Sequence, residues 1–169
     1  MEVHRAYVLF MLAFNLLILA APLLAMSQSP IAGALYSLFE LTCHQLPERS
    51  FCLSGSLSIG DCAPSFPYQF PVCSRDMAIY IAMLIGGLAM PFLYDVRSRK
   101  TPSIWILVLA AVPVAIDGGT QLFGMRESTN FFRMLTGAII GFVIPFFLIP
   151  LINDFTYVVS KRKSDRKRR

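Results

Sequence analysis

Residues 7–26 read YVLFMLAFNLLILAAPLLAM, an apolar run without a single charged side chain. A helix needs about 20 such residues to cross the hydrocarbon core of a bilayer, which is about 30 Å thick. Three further segments have similar length and hydropathy, at residues 77–94, 103–123 and 131–152. The pattern predicts an all-α membrane protein with four transmembrane helices. A fifth apolar stretch, residues 31–41, is too short to span and is interpreted as an interfacial or re-entrant half-helix.

The composition of the whole chain is typical of a membrane protein. Of its 169 residues, 56% are hydrophobic and 15% are charged, and the mean hydropathy is +0.61. A soluble domain of this size carries more polar surface. The formal net charge of +5 would suit nucleic acid, but the basic residues lie beside the apolar spans. We therefore expect membrane lipid as a partner and no nucleic acid. The first span exceeds the apolar core of a signal peptide and is interpreted as a retained anchor.

Basic residues outside the spans predict the orientation of the chain. Arg5 precedes the first span, Arg97, Arg99 and Lys100 lie between the second and third, and a basic tail occupies residues 160–169. Four spans place these three segments on one side, which the positive-inside rule assigns to the cytoplasm. We expect one integral membrane domain over residues 1–169, with both termini cytoplasmic and a long outer loop at residues 27–76. The basic tail is expected to contact anionic lipid.

The outer loop contains the residues best suited to bind a metal. It includes Cys43-His44-Gln45-Leu46-Pro47-Glu48-Arg49-Ser50 and ends in Pro71-Val72-Cys73-Ser74-Arg75-Asp76. Two thiolates, an imidazole and a carboxylate suit a four-coordinate zinc ion, and the sulfur and nitrogen donors also suit copper or iron. A helix beginning near Cys73 would place it and Asp76 on one face, and the helix N-terminus would lower the pKa of Cys73. The predicted metal ligands are Cys43, His44, Cys73 and Asp76.

Disulfides are the competing interpretation of the same cysteines. All four cysteines fall in the loop assigned to the oxidising side of the membrane. The turn-rich segment between Cys52 and Cys62 favours a local disulfide between these two. Cys43 and Cys73 remain open to three roles, as metal ligands, as a structural disulfide or as redox-active thiols.

A second group of polar residues lies on the same predicted side, around the connection between the third and fourth spans. Asp117 falls near the outer end of the third span, where a carboxylate is unfavourable unless it has a partner or a function. Together with Gln121, Arg126 and Arg133 it forms the predicted catalytic set, in which Asp117 is a general base and the arginines hold an anionic headgroup. The alternative is a simple ion pair between Asp117 and one of these arginines. Ser128 is expected to cap the fourth helix.

Small residues predict close packing between helices. Gly137-Ala138-Ile139-Ile140-Gly141 matches the G-x-x-x-G pattern, and Gly86-Gly87 offers a partner surface on the second span.

Three motifs together resemble those of a known family. They are Cys-His-Gln-x-Pro-x-Arg-Ser from Cys43, Pro-Val-Cys-x-Arg around Cys73, and Asp-Gly-x-x-Gln from Asp117. The chain is similar to small prokaryotic membrane proteins that are classified as a domain of unknown function. In many members the second motif reads Cys-x-Arg-Cys, so the resemblance implies that Asp76 occupies the position of a cysteine. That substitution speaks against a Cys-x-x-Cys redox centre and keeps a metal site, because aspartate also binds zinc.

The chain also resembles the vitamin K epoxide reductase fold in its four helices and loop cysteines, but it lacks the Cys-x-x-Cys pair of that fold. The leading hypothesis is therefore an integral membrane protein with an outward-facing metal site, zinc by its ligands, acting as a hydrolase or transferase on a lipid or another anionic substrate. The alternatives are a membrane thiol–disulfide or quinone oxidoreductase and a disulfide-stapled structural protein. The sequence leaves a homo-oligomer open.

Overall fold

Five helices make up most of the protein, and four of them are long and apolar enough to cross a membrane. The computed structural model describes the backbone of residues 2–168 and the side chains of residues 2–163. The long helices confirm the predicted fold class, and the predicted half-helix is a short apolar helix. Their bounds are α1 Glu2–Met26, α2 Ile31–Glu40, α3 Ser74–Leu93, α4 Ile104–Leu122 and α5 Asn130–Arg168.

The last helix is longer than the sequence predicts. The fourth span is predicted to end at residue 152, and α5 continues past that point without a break to Arg168 and includes Pro145 and Pro150. Polar side chains beyond Ile152 end the apolar pattern but do not end the helix, since lysine and arginine are good helix formers. The predicted basic tail is thus part of α5. Met1, Arg169 and the side chains of residues 164–169 lie outside the described residues.

A small antiparallel sheet in the loop before α3 was not predicted. Its three strands are β1 Phe51–Leu53, β2 Ile59–Asp61 and β3 Tyr68–Gln69, in the order β2-β1-β3. A disulfide joins Cys52 to Cys62 across the first hairpin, which is the pairing that the sequence favours. The sheet folds the loop back over the ends of the helices.

Two apolar clusters hold the helices together. One lies toward the beginning of α1 and centres on Met90 of α3 and Ile149 of α5. The other joins α1 and α2 to the loop, and it buries Ile18, Phe39 and Phe70 around Cys43. The second cluster therefore holds the residues just after α2 against those just before α3.

Glycines allow α3 and α5 to approach each other closely, as the sequence predicts. A β-carbon built on Gly137 would lie 2.6 Å from the carbonyl oxygen of Arg75, and one on Gly141 would lie 2.8 Å from Cα of Ile79. A β-carbon on Gly86 of α3 would meet Cγ of Pro145 at 2.8 Å. Only hydrogen atoms fit in these gaps, so the backbones of α3 and α5 touch along this interface.

Candidate metal centre and the adjoining arginine cluster

Cys43 and Cys73 meet where the loop leaves α2 and enters α3. Cys43 follows α2 by one turn, and its backbone N–H donates to the carbonyl of Phe39 at 3.0 Å. Cys73 immediately precedes α3, in an extended conformation that lets its own N–H donate to the Cys43 sulfur at 3.1 Å. Cys43 is buried in the second apolar cluster and Cys73 is half-buried. Both cysteines are free thiols.

Asp76 completes a cluster of three ligand atoms. The Cys73 thiol donates to Asp76 Oδ2 at 3.2 Å, because Cys73 stands at the N-cap of α3 and Asp76 lies three positions later in its first turn. The two sulfurs and a carboxylate oxygen all lie within 4.8 Å of one another. Zinc–sulfur bonds of about 2.3 Å and zinc–oxygen bonds of about 2.0–2.2 Å give ligand separations close to this spacing. Three of the four ligands predicted from sequence are thus together.

His44 does not belong to this cluster. Its side chain is exposed, and the group of ligand atoms found among the described residues contains Cys43, Cys73 and Asp76 alone. Neighbouring residues point in different directions unless the backbone turns sharply, so burying Cys43 leaves His44 at the rim. His44 nevertheless lines one cavity together with Cys43, Cys73 and Asp76.

The two thiols have opposite pKa shifts. A hydrogen bond from the Cys73 thiol, helped by the backbone N–H groups of Gln45 and Cys73, lowers the pKa of Cys43 to about 6. Donating that hydrogen bond, together with burial, raises the pKa of Cys73. The electrostatics of the pair thus favour Cys43 as the thiolate, whereas the sequence predicts a lowered pKa for Cys73. Cys73 has one S–H proton, which it can direct either to the Cys43 sulfur or to the Asp76 carboxylate, and both acceptors favour its protonated form.

A cavity of about 220 Å³ opens beside the three ligand atoms. Its polar lining includes two arginines, Arg49 from the short 3-10 helix Pro47–Arg49 and Arg75 from the first turn of α3. The remaining lining residues are Thr42, Cys43, His44, Gln45, Leu46, Cys73 and Asp76.

Arg75 connects this cavity to Asp117. The Asp117 side chain is buried and accepts from Arg75 Nη2 at 2.5 Å, from Arg126 Nη2 at 2.7 Å and from Ser128 Oγ at 2.6 Å. The ion pair between Asp117 and Arg126, which the sequence offers as the alternative to a catalytic role, is thus present in the structure. Arg75 lies outside the predicted catalytic set, although its position within the Pro-Val-Cys-x-Arg motif was a signal that could have found it.

Ser128 does not cap α5, so that prediction is wrong. The hydroxyl of Ser128 is directed to Asp117, and the backbone N–H of Phe132 donates to Thr129 Oγ1 at 3.4 Å instead. The helix begins at Asn130, which places Thr129 rather than Ser128 at the capping position.

Among the described residues, neither Arg133 nor Gln121 forms a hydrogen bond with the Asp117 carboxylate. Arg133 is 4% exposed and donates to the carbonyl of Glu48 and to Asn130 Oδ1, each at 3.2 Å. Its Nε is buried without a hydrogen-bond partner among the described residues. Gln121 is half-buried on α4, one turn beyond Asp117. Of the predicted catalytic set, the structure joins Asp117 directly to Arg126, whereas Arg133 reaches the loop that bears Arg49.

Sequence comparison identifies the family. Residues 43–147 match the model of a family described as "Predicted membrane protein (DUF2085)". This chain belongs to that family. The matched segment begins at Cys43 and extends into α5, so it covers the three ligand residues as well as Asp117 and its partners. The DUF2085 resemblance read from the motifs is confirmed, and with it the assignment as a membrane protein.

Two archaeal relatives extend the comparison. The chain is 37% identical over 127 residues to an uncharacterized protein of Methanocaldococcus jannaschii, an alignment that covers 75% of this chain and 74% of that protein. It is 36% identical over 99 residues to an uncharacterized protein of Methanothermobacter thermautotrophicus, covering 59% of this chain and 77% of the relative. No solved structure matches the chain. The DUF2085 assignment therefore establishes a membrane protein and leaves its activity to be argued from the site.

Proposed function

We propose that this protein binds a transition metal ion through Cys43, Cys73 and Asp76 and uses it as a membrane-embedded hydrolase or transferase. The observation that carries the proposal is the convergence of the three ligand atoms within 4.8 Å. Two sulfurs and one oxygen favour zinc over harder ions such as magnesium. Three protein ligands leave a fourth position free, which is the arrangement of catalytic rather than structural zinc sites.

The cavity supports a substrate position beside the metal. A metal ion there would polarise a bound carbonyl or phosphoryl group or activate a water molecule. Arg49 and Arg75 line the same space and would hold an anionic group. The oxygens of Asp117 are occupied by two arginines and a serine, which favours a role in holding Arg75 over the general base predicted from sequence.

Elemental analysis of the purified protein tests the proposal. We expect about one equivalent of zinc or another transition metal per chain in mild detergent without chelators, and loss of that metal in Cys43→Ser/Cys73→Ser and in Asp76→Asn. Asp154→Asn is the matched control, because Asp154 is an exposed carboxylate near the other end of α5. His44→Ala shows whether the exposed imidazole turns in to serve as a fourth ligand. Protein without metal under these conditions, with both thiols titratable, would refute the metal site.

A thiol oxidoreductase is the second candidate, favoured by the short approach of the Cys73 N–H to the Cys43 sulfur and by the closeness of the two sulfurs. Oxidation would join the two sulfurs, release the Cys73 proton and pass two electrons to an acceptor such as a membrane quinone. Counting thiols before and after incubation with a quinone separates the candidates. Metal-dependent hydrolysis leaves both thiols reduced, whereas the oxidoreductase loses two.

We further propose that the cavity faces away from the cytoplasm. The disulfide between Cys52 and Cys62 lies in the loop beside it, and disulfides persist in oxidising compartments. Arg5 lies at the opposite end, where α1 meets the second half of α3 through a hydrogen bond from His4 Nε2 to the carbonyl of Gly87, 2.8 Å long. Labelling of single introduced cysteines in intact cells, at Ser56 and at Ser160, tests this orientation. A membrane-impermeant reagent should label the first position and not the second.

A further inference from the structure

Arg133 is a buried cation that makes no direct ion pair among the described residues, although Asp117 attracts it from a distance. It is 4% exposed, and among residues 2–163 the ion pairs of the structure join Asp117 to Arg75 and Arg126, not to Arg133. Its hydrogen bonds go to two neutral oxygens, and its Nε has no partner among the described groups. Burying a guanidinium without a direct counter-charge is unfavourable, so proteins commonly pair such groups with an anion.

Two further arginines increase the local positive charge. Arg49 and Arg75 are both close enough to Arg133 to repel it electrostatically, and both line the cavity beside the three ligand atoms. Arg75 is partly neutralised by Asp117, but its Nε is also buried without a partner among the described residues. Arg49 is exposed and has no carboxylate ion pair in the part of the chain that the structure describes. Arg49 and Arg75 thus bring positive charge to a cavity that also holds the Asp76 carboxylate and Cys43.

We propose that Arg49 and Arg75 form a binding site for a phosphate group at this cavity, with the buried Arg133 adding to its positive potential. Guanidinium groups bind phosphate oxygens through paired N–H donors, and several arginines around one small space match a tetrahedral oxyanion. The cavity volume of about 220 Å³ accommodates a phosphate and the first atoms of its ester. As a substrate site this inference rests on the proposed metal centre. As a binding site it stands on the arginines alone.

Phosphate binding to purified protein tests the inference in metal-free and metal-loaded samples. Isothermal titration with inorganic phosphate should show binding to the unmodified chain and at least about a tenfold loss of affinity in Arg49→Gln, the effect of removing one charge-assisted hydrogen-bonding group. Arg49 is exposed, so its replacement leaves the packed core intact. Arg5→Gln is the matched control, because Arg5 is also exposed but lies at the other end of α1.

The variant Cys43→Ser/Cys73→Ser separates this inference from the proposed function. Retained phosphate affinity in that variant supports the arginine site whether or not the protein binds metal. Metal binding together with equal phosphate affinities in the unmodified chain and Arg49→Gln overturns the inference and leaves the metal proposal intact. Absence of phosphate binding at millimolar concentration also overturns it.

The source of the phosphate is decided by a competition experiment. The titration is repeated in nanodiscs of a phosphate-free glycolipid with and without added phosphatidic acid. If phosphatidic acid abolishes the binding of inorganic phosphate to the unmodified chain, the site takes a lipid headgroup. If both nanodiscs bind inorganic phosphate equally, the site takes a soluble phosphate compound. Either result supports the phosphate site.

Discussion

The close contact between α3 and α5 makes Gly137→Ala a sharp test of the structure. A β-carbon at Gly137 would lie 2.6 Å from the carbonyl oxygen of Arg75, which is about 0.8 Å short of the 3.4 Å at which ordinary van der Waals contact begins. It would also lie 3.2 Å from Cγ of Arg75 and 3.3 Å from Cγ1 of Ile79. The nearest atom belongs to the backbone of a helix and cannot move alone, so α3 and α5 must separate.

The expected loss of stability is about 2 kcal/mol. Overpacking of this kind costs about 1–3 kcal/mol, and α-helical propensity returns up to about 1 kcal/mol because alanine replaces glycine. The displaced residue is Arg75, whose 2.5 Å contact with Asp117 would lengthen and add to the loss. For a chain of this size about 2 kcal/mol corresponds to a fall of about 4–8 °C in Tm, by the scaling known for soluble domains.

Thermal unfolding in one detergent, followed by circular dichroism, measures this effect against a matched control. Gly119→Ala makes the same chemical change in α4, two residues from Asp117, where a β-carbon meets nothing within 4 Å. We expect its Tm to stay level or rise, because only the gain in helix propensity remains. A rise in Tm for Gly137→Ala comparable with that of Gly119→Ala would refute the close packing of α3 on α5 at this point.

Three further predictions concern the charged groups and the disulfide. In metal-free protein, alkylation of Cys43 should be half-maximal near pH 6 and slow at lower pH, because the pKa of its thiol is lowered to about 6. Mass mapping should find this midpoint raised in Cys73→Ala, and an unchanged midpoint would contradict the hydrogen bond. Replacing Asp117 by Asn should lower the free energy of unfolding by about 3 kcal/mol, since two arginines lose their counter-charge, and a change under about 0.5 kcal/mol in denaturant unfolding would contradict the buried pair. Replacing Cys52 and Cys62 by alanine should lower the unfolding free energy by about 2–3 kcal/mol, seen as a lower denaturation midpoint, while leaving metal content unchanged.

The membrane helices could be predicted because hydropathy alone determines them. Long apolar segments must be helical inside a bilayer, where every backbone polar group has to be satisfied within its own segment. The sheet could not be predicted in the same way. Its strands Phe51–Leu53 and Tyr68–Gln69 have three and two residues, too few to display an alternating pattern. The continuation of α5 beyond residue 152 could not be predicted for a related reason, since hydropathy marks the end of a span and not the end of a helix.

The site residues could be found from their chemical types, but their partners could not. Cys43 and Cys73 stand out because thiol ligands are few in this chain, and Asp76 stands out because it lies three residues from Cys73. Which side chain meets Asp117 depends on the relative rotation and height of three helices, and no single-sequence pattern encodes these. Arg133 was expected beside Asp117 on spacing alone, yet the structure directs it toward the carbonyl of Glu48.

The first turn of α3 explains why the candidate metal ligands and the arginines beside them depend on each other. Cys73 and Asp76 lie three residues apart and share one face, whereas Arg75 is rotated by about 100° from Asp76 and reaches toward α4. The start of α3 thus holds Arg75 and two candidate metal ligands, Cys73 and Asp76, in a fixed relation. Because Gly137 lets α5 press against the backbone of this turn, the helix that carries Arg133 is held against it. A metal ion and an anion bound here would be positioned by the same helix contact, so the packing of α3 on α5 is as much a part of the candidate site as its ligands.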